Sequence, residues 1–176
     1  MKSRLSFALF LLVAIVPLTT AAYDGRGHSL VRFKGGIGVD AVSNVTVSGG
    51  TTTVATNTVR GVSPAGQIWV IADLAARISE NGHILVVGRG LLLGGGDGIG
   101  TNGGQSVFAT LFCGPAASAS ASSSSMTGVA LDAEGNFTIN DALSPAPPDP
   151  CDTPVLLIQT TGGTHPWFAA GIPDQD

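Results

Sequence analysis

The sequence predicts an all-β fold: an antiparallel β-sandwich or jelly-roll-like domain of about nine strands with one disulfide. Three observations lead there. Short apolar or alternating runs recur between turn signals, no stretch holds a convincing helical period, and 25 of the 176 residues are glycine, spaced where tight turns fall.

The strongest element is the stretch 60–93. Two apolar runs, 68–78 and 84–93, flank Asn81-Gly82, a dipeptide suited to a two-residue type I′ turn, so the stretch reads as a β-hairpin. Even positions of the first run (Ile68, Val70, Ala72, Leu74, Ala76, Ile78) are apolar, whereas the odd ones include Asp73, Arg77 and Ser79. One face therefore turns to a core, and the same parity points Trp69 outward. A two-residue loop sets Ile78 against Leu85, Ala76 against Val87 and Leu74 against Arg89. That last pair brings an arginine onto the apolar face, and Gly88 and Gly90 are read as a bulge that turns it out.

Upstream, 29–33 is a first strand, and 41–48 with 52–60 form a Val/Thr-rich hairpin around Gly49-Gly50. Ser63-Pro64-Ala65-Gly66 fits a type I turn. Downstream, the glycine-rich run 90–105 leads to the strand 106–113, and the Ala/Ser segment 114–125 reads as an exposed flexible loop. A third hairpin pairs 127–131 with 137–139. Pro145, Pro147, Pro148 and Pro150 then keep the chain extended before strands at 155–159 and 167–170. The one helical rival, 74–80, is short and stops at Asn81-Gly82.

Residues 1–22 have the basic start, apolar middle and small-residue end of a secretory signal peptide. The apolar run is too short for a comfortable membrane span, so the chain is expected to be exported and extracellular, not membrane-spanning after cleavage. Residues 23–176 then form a single domain. The net charge is −4, and cleavage removes two of the eight basic residues and none of the twelve acidic ones. No basic patch remains for nucleic acid or an anionic membrane. Two cysteines in an exported chain, Cys113 and Cys151, read first as a disulfide. Free thiols or metal ligands are the alternative, against which stand the absence of CxxC spacing and of a nearby histidine.

Candidate chemistry is sparse. Gly98-Ile99-Gly100-Thr101-Asn102-Gly103 matches G-x-G-x-x-G, but a strand-like segment follows it where a dinucleotide site needs a helix, so no cofactor is expected. The same run offers Asp97 and Asn102 as calcium ligands, yet it is a single copy with one carboxylate, and no metal site is assigned. His28, His83 and His165 are scattered, without GxSxG or HExxH; a small hydrolase would need His28 or His165 beside an acid such as Asp73. Trp69 and Trp167 are the candidate ligand-binding residues, since an exposed indole face stacks on carbohydrate. Asn44-Val45-Thr46 and Asn136-Phe137-Thr138 have the form of glycosylation acceptors.

Arg60-Gly61-Val62-x-Pro64-x-Gly66-x-x-Trp69-Val70-Ile71, Arg89-Gly90-Leu91, Gly100-Thr101-Asn102, Cys113, Pro150-Cys151-x-x-Pro154 and Trp167-Phe168-Ala169-Ala170 together resemble a type of small secreted bacterial protein of unassigned activity, over about residues 60–171. The resemblance implies export, an all-β domain and a Cys113–Cys151 bridge, and it carries no site residues. The functional expectation is therefore a secreted, non-catalytic binding or structural module whose extracellular partner is a polysaccharide or a protein, with the small hydrolase as the alternative.

Overall fold

The computed structural model describes residues 28–174, so the expected signal peptide and the chain start at Tyr23 lie outside the described residues. Thirteen strands and no helix are found among them: β1 (Ser29–Gly38), β2 (Val42–Ser48), β3 (Thr51–Thr56), β4 (Trp69–Val70), β5 (Asp73–Ser79), β6 (His83–Arg89), β7 (Leu92–Leu93), β8 (Ser106–Cys113), β9 (Ser120–Ser123), β10 (Val129–Ala130), β11 (Phe137–Ala142), β12 (Val155–Thr160) and β13 (Trp167–Pro173). The fold is all-β, with every strand pair antiparallel.

Nine strands make one sheet in the order β10-β8-β12-β13-β1-β5-β6-β11, with β9 also paired to β8. The sheet curls until its ends meet. Ser123 and Ser144 exchange two backbone hydrogen bonds, of 3.0 and 2.8 Å, and the Ser125 N–H donates to Asp141 Oδ2 at 2.7 Å. The facing layers of the expected sandwich are thus two halves of one sheet. Between them lie Leu74, Ile78, Ile84, Val86, Leu111, Leu156 and Ile158, all fully buried.

The β5–β6 hairpin forms, but one residue out of the expected register. Ile78 pairs with Ile84, Ala76 with Val86, Leu74 with Gly88 and Asp73 with Arg89. The loop is Glu80-Asn81-Gly82, in which the Gly82 N–H donates to Ser79 O and the Asn81 side chain accepts from the His83 N–H. Only Gly82 of the three has positive φ, +81°, the left-handed residue that a three-residue loop needs. A one-residue slip exchanges faces, so Arg89 sits outside without a bulge, and Gly88 takes the inner position. There a β-carbon would overlap the Phe137 ring, which lies opposite Gly88.

Three other expectations are corrected. The Ala/Ser segment supplies strand β9, with Ser122 and Ser124 buried and the Ala109 N–H donating to Ser124 Oγ at 3.0 Å. Serine is small enough to let this strand lie close against β8. The third hairpin opens: β10 pairs with β8 and β11 with β6, because the two arms belong to opposite ends of the curling sheet. Finally, 68–78 is not one strand. It breaks at Ile71-Ala72, where the Ala72 N–H donates to Arg89 O, and the period-2 phase of β5 does not carry back to β4. Trp69 is consequently buried, 4% exposed, while Ile68 and Val70 are 45% and 49% exposed.

The bridge between Cys113, at the end of β8, and Cys151 is formed, with Cα atoms 4.9 Å apart and a sequence separation of 38. A loop of that length stabilises by about 4 kcal/mol in the chain-entropy picture. Replacing both cysteines by serine is expected to lower the unfolding free energy by about that amount in urea titrations; an unchanged midpoint would refute it.

Asp141 ties the seam electrostatically. Its carboxyl lies below the ordinary 3.8 because the N–H groups of Ser125 and Ala142 donate to the ionised form, with a further contribution from His83. A depressed carboxylate stabilises the folded state fully above the ordinary value, and that contribution is lost as pH falls through the lowered one. Asp132 is also lowered, first by the Asn136 backbone N–H and then by its side chain. Asp141→Asn is therefore expected to reduce stability at neutral pH and to flatten, without abolishing, the loss of stability below about pH 4. Melting temperatures across pH 2–7 check this; a variant curve parallel to wild type would contradict it.

Candidate functional site

Strands β8, β12 and β13 are apolar on both faces, as the continuous runs SVFATLFC and VLLIQT imply. The inner face closes the core. Part of the outer face is covered by the segment 57–66, which runs along β13 as a strap: Pro64 bridges Trp167, the Ala65 N–H donates to Trp167 O, and the Trp167 N–H donates to Ser63 O.

This arrangement explains both tryptophans. Trp167 is 3% exposed, and its indole Nε1–H donates to Asn57 O at 3.0 Å, at the base of the β2–β3 hairpin. Trp69 stacks on Phe168, with ring centroids 4.0 Å apart and planes 11° from parallel. Neither indole offers a free face, so the expectation that they stack on a ligand loses its basis. Trp69 only edges a shallow depression beside Gln105 and Pro166.

Beyond the strap, the outer face is left open as a groove of about 380 Å³. Its floor is Phe108, Thr110 and Phe112 of β8 with Gln159 of β12. One wall is 61–63 of the strap, another is Ser123 of β9 with Met126, and His165 closes one end. No Asp, Glu, Lys or Arg lines it. The Thr110 and Ser123 hydroxyls are 2.9 Å apart. Gln159 is 6% exposed; its Nε2 donates to His165 O at 2.7 Å, which leaves Oε1 without a protein partner among the described residues.

His165 is held rigidly. Its φ of +57° lies in the left-handed region that costs a β-carbon-bearing residue about 1 kcal/mol. The backbone is fixed there because its N–H donates to Gly162 O while its carbonyl accepts from Gln159. The ring Nδ1 lies 3.2 Å from Thr160 O, so that nitrogen carries the hydrogen and Nε2 is the acceptor of the neutral ring. The ring also meets Phe108 edge-on at 5.4 Å.

The other candidates are dispersed. His83 Nε2 meets the Asn140 amide at 2.8 Å, and His28 contributes its backbone carbonyl to Glu80. Among the described residues, no hydrogen bond joins a histidine to a carboxylate or a hydroxyl. Asp73 stands opposite Arg89, far along the sheet path from β12. Asn102 pins a turn: its Nδ2 donates to Leu131 O and Asp132 O, and its Oδ1 accepts from the Gly104 N–H. The run 98–103 is hydrogen-bonded turn structure leading into strand β8, so the G-x-G-x-x-G match lacks the helix it would need. Among the described residues, no three His, Cys, Asp or Glu side chains converge as metal ligands. Asn136 spends its amide on Asp132 and the Gly90 N–H, whereas Asn44 is exposed.

Sequence reasoning passed over the groove. The available signal was Thr110 and Gln159, polar residues inside otherwise apolar strand runs. Set against known protein families, curated proteins and solved structures, the chain matches none.

Trp167→Phe keeps an aromatic ring but removes the indole N–H bond to Asn57 together with part of the buried ring volume. It is expected to cost about 2–3 kcal/mol, from the lost bond and the cavity together, and to speed amide exchange at the hairpin base more than at β5–β6; uniform exchange across the protein would argue against this local role.

Proposed function

We propose that the chain is an exported, non-catalytic binding module whose groove takes a neutral, hydroxyl-bearing ligand of the polysaccharide class. Export is supported by the apolar leader and by the disulfide, which persists in oxidising compartments. Among the described residues no helix is long and apolar enough to cross a membrane.

The observation that carries the ligand assignment is Gln159. Its side chain is mostly buried, but Oε1 has no protein partner among the described residues and is not itself a buried atom, so it opens to the groove and accepts from a ligand hydroxyl or from solvent. A sugar hydroxyl supplies that donor, and the Thr110–Ser123 pair beside it can both accept and donate. Met126 and the edge of Phe112 offer apolar contact. With no Asp, Glu, Lys or Arg in the lining, a charged ligand would lose its hydration with nothing to replace it. His165 bonds a backbone carbonyl through Nδ1 and has no carboxylate hydrogen-bonded to it among the described residues, an arrangement that favours a positioning role in binding.

A panel of neutral and acidic oligosaccharides, read by thermal shift and calorimetry, tests the assignment. Neutral members are expected to raise the melting temperature and uronic-acid-rich ones not to. Gln159→Leu and Thr110→Val are expected to weaken binding about tenfold each, the worth of one lost hydrogen bond. Binding that survives both variants, or a panel without a neutral hit, would overturn it.

A further inference from the structure

The β2–β3 hairpin stands outside the curled sheet as a separate two-stranded ribbon. Every residue of both strands is exposed. Val45 lies opposite Val54 and Val47 opposite Thr52, so the valines share one face, at 55%, 55% and 70% exposure. A two-stranded ribbon of this kind is at best marginally stable in water. We propose that β3 is the edge through which two copies of this chain associate, pairing β3 with β3 antiparallel about a twofold axis at Val54.

Charge singles out a second copy as the occupant. The chain is acidic overall, at −4, so most approaches between copies set like charges together. Residues 41–59 hold no charged side chain at all, between Asp40 and Arg60. Contact there carries no repulsion, and a strongly charged partner finds nothing to complement.

Edge protection points to β3 and not to β2. Natural edges are blocked by bulges, lysine, proline or extreme shortness. The outer side of β2 is interrupted by the bulge at Ser43, whose hydroxyl bonds back to Ala55 O and Thr56 O. The free edge of β11 is closed by the Ser123–Ser144 bonds and by Asp141, and β10 has two residues. From Thr51 to Thr56 the third strand has no such device.

The register follows from the turn. Gly49 and Gly50 both have positive φ, +56° and +79°, and Ser48 pairs with Thr51, a two-residue loop of the I′ type. Such a loop makes Ser48–Thr51 a hydrogen-bonded pair, so Thr51, Thr53 and Ala55 direct their backbone groups to β2. Those of Thr52 and Val54 face outward, as does the Thr56 N–H, whereas the Thr56 carbonyl already accepts from the Thr58 N–H and the Ser43 hydroxyl. A twofold through Val54 sets Val54 against its copy and Thr52 against Thr56, forming about four inter-chain bonds. Residues of equal parity meet, so the valine face continues across all four strands. An edge this short buries less than the ~1,200 Å² of a standard interface, so the dimer is reversible and concentration-dependent.

The protein, purified after export from expressing cells, tests this by sedimentation over a concentration series. A shift from monomer to dimer is expected, with Val54→Pro monomeric throughout and unchanged in melting temperature, because its N–H lies on the free edge. Val54→Cys is expected to form an inter-chain disulfide under mild oxidation at least tenfold faster than Thr51→Cys, since a hydrogen-bonded pair holds Cα atoms about 5.5 Å apart. Wild-type monomer over the whole series, dimerisation undiminished by Val54→Pro, or equal cross-linking of the two cysteine variants would each overturn the proposal.

Discussion

The structure depends on covering the outer face of β8, β12 and β13. These strands are apolar on both sides, and a curling sheet buries only one of them. Leaving Phe108, Phe112 and Trp167 open to water would cost about 1.5–3 kcal/mol for each large side chain. The 57–66 strap removes that cost at Trp167. Its anchor at Trp167 combines backbone bonds with an indole N–H that has to find an acceptor once buried.

Two surface features follow from the same strap. It is anchored at Trp167 of β13, so the surface beyond it becomes a groove floored by Phe108, Thr110 and Gln159. It also begins where the β2–β3 hairpin ends, at Asn57, whose carbonyl accepts from Trp167 and whose amide donates to Asp40 O. Groove and hairpin are thus mounted on one buried indole, and packing at that indole positions both.

The chain manages its edges unevenly. The main sheet uses a curl, a reciprocal serine bridge and an ionised aspartate to leave no long edge open. The hairpin uses none of these on its third strand. An all-β chain with few charges has limited means of preventing unwanted pairing, so one unguarded edge amid guarded ones is a feature that calls for a partner.

The sequence by itself determined the class of the fold, the Asn81-Gly82 and Gly49-Gly50 reversals, most strand positions and the Cys113–Cys151 pairing. Each of these rests on local chemistry: period-2 alternation, glycine at a tight turn, two cysteines as the chain's only sulfhydryl pair. Tertiary structure decided whatever depends on phase or on distant partners. The slip in the β5–β6 loop moved Arg89 outside, and the break at Ile71-Ala72 turned Trp69 inward. Residues 120–123, Ser-Ala-Ser-Ser, became a strand only because β8 needed a neighbour. The groove was invisible for the same reason. Phe108, Ser123, Gln159 and His165 come from four separate segments, and their meeting is set by how the sheet curls and where the strap ends, which no local pattern of residues encodes.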